Sequence, residues 1–462
     1  MGNNKMHSMK ARFNAMVALA IGAALVGTAG LGLVTPAWAQ PPSPQSQDSR
    51  VNTQDSQDTG RIKQNATQTK DSKDKDKDKE PKHTVSKALG KPLKAAQDAM
   101  TAKKYPEAIA KLKEAEAMSG KSPWDEHLIN EMYGYTYAHT GDFPNAAKAY
   151  EATLSDGFVD QADIPGRVRL LAQMYYQLKN YEKAIDFGTR AIKGGFDNDE
   201  IQTIVGQSYY LKNDYKGTIK FVDTWIDGTL KKGQTPKEQT INLVLSSCVK
   251  LEDAECTSKS LEKMVTYYPK PEYWGNLVLT LFQAPSMNDK TLLNTFRLAN
   301  EVDVLKKPED FTEMAQLAIE QGSPGEAQHV LEKAFQRNIF PDARTQDKNK
   351  RLLASAQKAA EQDLAQLPKN ATDAETAPTG DKSVGVGLAY LGYQQYDKAS
   401  DALSKGLSKG GLKNEAEAHL LLGIAQLKGG HKDEAVKSFK AVKGDANLER
   451  IASLWSLHAK QA

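Results

Sequence analysis

The chain has two cysteines in 462 residues, Cys248 and Cys256. That excludes a multi-disulfide framework and any metal site built on several thiolates. An even count permits one bridge, and two small buried thiols are the other reading of the pair. The eight histidines are His7, His83, His127, His139, His329, His419, His431 and His458. None has a partner at a recognised metal-ligand spacing. There is no G-x-S-x-G elbow and no paired-thiol motif, so nothing points to an enzyme and no cofactor is implied. A charge excess is also lacking. The chain carries 61 Lys and Arg against 58 Asp and Glu. Nucleic-acid binders and polybasic membrane binders show a clear basic stripe, and none is present. No segment after Val34 is apolar enough to span a bilayer.

What is present begins at the amino terminus. Lys5, Lys10 and Arg12 precede an apolar run from Phe13 to Val34, and Ala37-Trp38-Ala39 follows. This order is that of a secretory signal peptide over residues 1–39, cleaved so that Gln40 starts the mature chain. The run is also long enough to serve as a retained membrane anchor, and its Gly and Ala content with the A-x-A ending favours cleavage. Residues 40–84 have almost no large apolar side chains, and Lys and Asp alternate from Lys73 to Lys79. Such a segment cannot bury enough surface to offset its ordering entropy, so it is expected to be a disordered tether.

From Val85 onward the chain repeats. Gly134, Tyr137, Phe143, Ala146 and Tyr150 form one unit. Ala172, Tyr175, Tyr181 and Ala184 follow at the same spacings, then Gly206, Tyr209, Tyr215 and Thr218. The first pair carries Ala96, Ala99, Tyr105 and Ala108. A period of about 34 with alternating small and aromatic residues reads as tetratricopeptide helix pairs. Small residues let two helices approach closely, and aromatics wedge between neighbouring pairs. The predicted fold is therefore all-α, a tetratricopeptide α-solenoid of about nine helical pairs with a C-terminal capping helix. Residues 85–340 form its N-terminal array, with a degenerate fifth pair around Cys248 and Thr257. The signal lapses over residues 341–380, which read as a decayed repeat or a helical insertion. There Arg344 to Leu367 forms one long polar helix, and Asn370 to Asp381 is a loop by composition. Residues 381–462 resume the pattern with Gly387, Tyr396 and Ala399, then Gly423, Ala435 and Phe439. Leu448, Ile451, Ala452 and Trp455 give the last helix an apolar stripe that covers the open end.

One apparent motif fails on context. Ala115 to Ser122 ends in Gly120-Lys121-Ser122 and satisfies a relaxed phosphate-loop pattern. That loop needs a strand before it and a helix opening after the Ser. Here a helical stretch precedes it and Pro123 follows, so the segment reads as a linker between repeats.

The register places a binding surface. The first helix of each pair lines the concave face. Its groove positions fall on Glu131, Tyr135 and His139, on Arg169, Gln173 and Tyr176, on Gln207 and Tyr210, and on Asn242. Tyr135, Tyr176 and Tyr210 would form an aromatic ladder suited to a peptide segment, unless they belong to the inter-repeat core.

Several stretches outside the repeat signature carry a more specific likeness. They include Lys121-Ser122-Pro123-Trp124-Asp125 with Ile129-Asn130-Glu131-Met132, and Leu170 to Ala184. They continue in Tyr267-Tyr268-Pro269-Lys270-Pro271-Glu272-Tyr273-Trp274, Pro324-Gly325-Glu326-Ala327 and Gly410-Gly411-Leu412-Lys413. In these the chain resembles exported tetratricopeptide proteins described as components of the TonB energy-transduction system. The resemblance covers most of residues 85–460 and leaves out the tether. It implies a Gram-negative periplasm, a non-enzymatic scaffold, and TonB, ExbB or ExbD as protein partners. A scaffold for assembling outer-membrane or cell-wall machinery fits the same residues.

Overall fold

A computed structural model describes residues 84–284 and 287–461. The expected signal peptide lies outside the described residues, as does the expected tether apart from Thr84. The described residues form twenty α-helices and no β-strand. They fall into two compact units that part between Leu251 and Glu252, within the array expected to run unbroken from 85 to 340.

The first unit holds α1 (Gly90–Thr101), α2 (Tyr105–Ala117), α3 (Pro123–Thr140), α4 (Phe143–Ser155), α5 (Ile164–Gln177) and α6 (Tyr181–Lys193). It continues with α7 (Asp199–Leu211), α8 (Tyr215–Lys231) and α9 (Glu238–Lys250). The same local chemistry turns each pair. The first helix ends in a left-handed residue, at Lys103, Gly141, Lys179 and Asn213. The amide after it reaches back to a carbonyl five residues earlier, as in Asp142 to Tyr137 and Asn180 to Tyr175, both at 2.9 Å. That same residue then caps the second helix. Asp142, Asn180 and Asp214 each accept from the backbone N–H three residues on. The repeat aromatics Tyr105, Phe143, Tyr181 and Tyr215 are thus the first residues of the second helices.

The small residues do what their spacing implied. Ala108, Ala146, Ala184 and Thr218 are fully buried. A Cβ added at Gly134 would lie 2.5 Å from the ring of Tyr150 on the facing helix. In the degenerate fifth position Thr257 is only half-buried. Ser122 of the rejected phosphate-loop pattern caps α3. Its hydroxyl accepts from the amide of Asp125, whose carboxylate accepts from the Ser122 amide in return. Both cysteines are in disulfide form, and no thiol is free.

The second unit holds α10 (Ala254–Tyr267), α11 (Pro271–Phe282), α12 (Asp289–Glu301), α13 (Pro308–Glu320), α14 (Pro324–Gln336) and α15 (Ala343–Thr376). It ends with α16 (Asp381–Gly392), α17 (Tyr396–Lys409), α18 (Glu415–Lys428), α19 (Lys432–Ala441) and α20 (Ala446–Ala459). The helix-pair logic recurs. Cβ atoms at Gly387 and Gly423 would lie 2.5 Å from Leu403 and Phe439 respectively. Residues 343–376 form one 34-residue helix that runs through Pro368. It covers most of the loop expected from Asn370 to Asp381. Its end is held by Lys409, whose Nζ donates to the carbonyls of Ala374, Glu375 and Ala377, each at 2.9 Å.

The last helix does more than cover an end. α20 buries Leu448, Ile451, Ala452, Leu454 and Trp455, and packs against α11 and α12 as well as its neighbours α18 and α19. Its Arg450 pairs with Glu262 on α10 at 2.5 Å. Trp274 of α11 meets His458 edge-on, with centroids 5.8 Å apart. Lys428 of α18 pairs with Glu301 of α12 at 2.8 Å. The second unit therefore closes on itself, where an open repeat stack touches only nearest neighbours.

Glu301 sits at this closure. Burial alone would raise its carboxyl, but His458 and Lys428 outweigh that and hold it down to about 2. A depressed carboxyl contributes stability above its ordinary range, near 4.5, that is lost as pH falls through the folded value. Glu301→Gln should therefore lower the unfolding free energy at pH 7 by an amount on the order of 2 kcal/mol, and the thermal midpoint with it. The two melting curves should converge as pH approaches about 2. A constant gap across that range would mean that the ion pair does not brace the closure.

Candidate protein-binding groove

In the first unit the helices that open each pair, α3, α5, α7 and α9, carry the expected groove residues. The structure joins most of them to the next pair. Glu131 on α3 takes Arg167 of α5 at 2.6 Å. The same guanidinium lies 4.1 Å above the ring of Tyr150. Arg169 on α5 reaches Glu200 of α7 at 3.5 Å, and the Gln173 amide donates to the other oxygen of Glu200 at 2.5 Å. The Tyr176 hydroxyl donates to the side-chain carbonyl of Gln207 at 2.6 Å. Consecutive pairs are thus stitched along this face by side chains of their first helices.

The tyrosines are half-buried, and each leans on a second aromatic. Tyr176 lies 6.2 Å from Tyr181, and Tyr210 lies 5.4 Å from Tyr215, each the first residue of its partner helix. Burial and the neighbouring ring raise both phenols above their usual range. Tyr135 lies 4.0 Å from His139, whose Nδ1 donates to the Tyr135 carbonyl at 2.9 Å. The three tyrosines therefore share a face but serve partly as packing.

The remaining positions divide. His139 is exposed, and Asn242 on α9 is half-buried. Gln173 is only 4% exposed and acts between pairs rather than as open surface. Arg167 and Glu200 organise the face and were missed. The one signal for them was a charge of each sign near the start of successive first helices. Polar capacity is left over here. Oε1 of Glu131, Nε of Arg169 and Oε1 of Gln173 are covered and have no hydrogen-bond partner. Orphaned buried polar atoms are scarce in native proteins, and three on adjoining helices mark this stretch as chemically unfinished.

A family model described as "Tetratricopeptide repeat" matches residues 93–164 and 387–448, one segment in each unit. Together with the helix pairs this decides the architecture. The fold is a tetratricopeptide-repeat solenoid. Among solved structures, the chain is similar to a tetratricopeptide repeat protein from Parabacteroides merdae at 14% identity, covering 74% of this chain and 100% of that one, with a TM-score of 0.27. It is also similar to yeast Tom70 at 13% identity, covering 81% and 96%, with a TM-score of 0.22. A comparison with curated proteins gives no match. Among the described residues of the solenoid, no group of three or more His, Cys, Asp or Glu could hold a metal ion. No helix there is long and apolar enough to cross a membrane.

The stitching is testable on its own. Tyr176→Phe keeps the ring and removes the hydroxyl that serves Gln207. It should lower stability by about 1 kcal/mol in a chemical denaturation series, the net worth of a buried hydrogen bond. An unchanged midpoint would place the Tyr176 hydroxyl in water.

Proposed function

We propose that this solenoid is a non-enzymatic scaffold of the Gram-negative periplasm. Its first unit would hold a segment of the TonB, ExbB and ExbD energy-transducing assembly. Tetratricopeptide-repeat domains mediate protein–protein interactions. The observation that carries the reading is the set of side chains that joins α3, α5 and α7. It is rigidly stitched, half-aromatic, and left with polar atoms that lack partners. Aromatic and Arg side chains on a preorganised face are the residues that dominate binding energy. The periplasmic part of the proposal rests on Lys5, Lys10, Arg12 and the apolar run ending in Ala37-Trp38-Ala39. It draws further support from the disulfide state of Cys248 and Cys256, which suits an oxidising compartment. The TonB assignment rests on the resemblance of the Pro-Trp-Asp, Tyr-Tyr-Pro and Pro-Gly-Glu-Ala stretches.

The test is direct binding of the purified chain to the periplasmic segments of TonB and ExbD, immobilised separately. Tyr135, Tyr176 and Tyr210 changed together to Ala should weaken capture at least tenfold, since hot-spot truncations cost about 2 kcal/mol or more. Changes on the exposed face of α15 should leave capture intact. Circular dichroism must show the triple variant folded. Full binding by a folded triple variant would move the partner surface away from this face. Failure of the unaltered chain to capture either segment would remove the TonB assignment.

A further inference from the structure

The first unit holds a recess of about 520 Å³ bounded by the end of α6, by α7 with the connection before it, and by one stripe of α8. The stripe is Gly217, Lys220, Phe221, Thr224, Trp225 and Gly228, at the spacing of a single helix face. None of the groove positions above lines the recess, so the two readings stand apart.

Its apolar part is mostly aromatic. Tyr209, Phe221 and Trp225 are half-buried and line it together with Ile192. Tyr209 and Phe221 lie 5.9 Å apart and also back the core of the unit. Trp225 differs. Its side chain forms no hydrogen bond and no ring contact among the described residues. Buried indole N–H groups usually find an acceptor. Here a half-buried indole brings a wide apolar face and an unused donor to one recess.

Two glycines shape the stripe, for different reasons. A Cβ at Gly217 would lie 2.7 Å from the ring of Tyr209, so packing demands that glycine. A Cβ at Gly228 would meet nothing within 4 Å, and its φ is not left-handed. Glycine inside a helix costs stability relative to alanine, and no packing contact or backbone turn explains this one. What Gly228 does is leave space open beside the rings.

The rest of the lining is polar. Asp197, Asn198, Lys220, Lys232 and Gln234 are exposed around the rings, and Gln202 is half-buried. Carboxylates and ammoniums are equal in number there, Asp197 and Asp199 against Lys220 and Lys232. Lys232 stands 3.9 Å from Asp197, and Asp199 is paired from outside the recess by Lys237 at 2.7 Å. No single charge dominates, and donors and acceptors are mixed.

We infer that this recess binds a neutral carbohydrate, with a pyranose ring stacked on Trp225 and its hydroxyls at the polar rim. A pyranose offers a face of C–H groups to an aromatic ring. Its perimeter carries hydroxyls that both donate and accept, which suits carboxylate, amide and ammonium side chains alike. A wholly apolar ligand would cover the same rings and leave the rim groups short of partners. The volume is typical of small-molecule sites.

The experiment is equilibrium titration of the full chain, read by calorimetry and tryptophan fluorescence. The probes are cellotriose, maltotriose and tri-N-acetylchitotriose. Sorbitol supplies hydroxyls without a ring face, 3-phenylpropanol an aromatic body without the hydroxyl perimeter, and trigalacturonate a charged sugar. At least one neutral trisaccharide should bind. It should bind more tightly than trigalacturonate, and at least tenfold more tightly than sorbitol or 3-phenylpropanol. Trp225→Ala should weaken it at least tenfold, and Trp225→Phe should weaken it less. Gly228→Leu grows into open space, so it should fold with an unlowered melting midpoint and lose binding. No binding by any of the three trisaccharides, failure of either margin, or full binding by folded Gly228→Leu would each overturn the assignment. The probe series on the unaltered chain decides the matter even where a variant fails to fold.

Discussion

The pairs of α3 with α4, α16 with α17 and α18 with α19 depend on one steric constraint: a small residue where a bulky side chain crosses from the facing helix. At Gly134 the ring of Tyr150 occupies the volume that any side chain would need, and Phe439 does the same at Gly423. The constraint fixes how closely the two helices approach. That spacing sets the angle at which the next pair must stack. The fully buried Ala108, Ala146 and Ala184 impose the same closeness from the second helix. Interiors are close-packed, so one methyl group too many is felt by the whole pair.

Two outcomes follow from the same pairs. In the first unit, side chains of successive first helices reach one another. Polar side chains bridge them as Glu131 to Arg167 and Tyr176 to Gln207. In the second unit, the pairs bring α18 and α20 back to α12, and Glu301 receives Lys428. One arrangement gives a stitched face, the other a closure between distant segments. Both are products of side chains that the repeat leaves free to vary.

That division explains what could be read from sequence. The period reports residues each pair needs for itself. The positions of Tyr105, Phe143, Tyr181 and Tyr215 therefore mark the second helices, and the buried small residues fall where their spacing put them. It carries no information about contacts between residues more than a hundred positions apart, such as Lys428 with Glu301 or Arg450 with Ser258. The closure of the second unit was invisible for that reason. The end of α15 was misread on composition. Asn370 and Pro368 suggest a loop, but Lys409 caps the helix from thirty-odd residues away. The helices that carry the expected groove positions were legible and the network between them was not, because Glu200 and Arg167 lie off the positions that convention assigns to ligand contact.

The most direct measurement is a double-mutant cycle between Gly134 and Tyr150, followed by denaturant unfolding. If the ring alone demands a glycine, Gly134→Ala should destabilise the unaltered chain. The same change in a Tyr150→Ala background should be neutral or stabilising, since Ala is favoured over Gly within a helix by about 1 kcal/mol. The coupling should then exceed about 1 kcal/mol. If the two changes instead add to within about 0.5 kcal/mol, close approach at this contact does not govern the pair, and the account of how the helices stack is wrong.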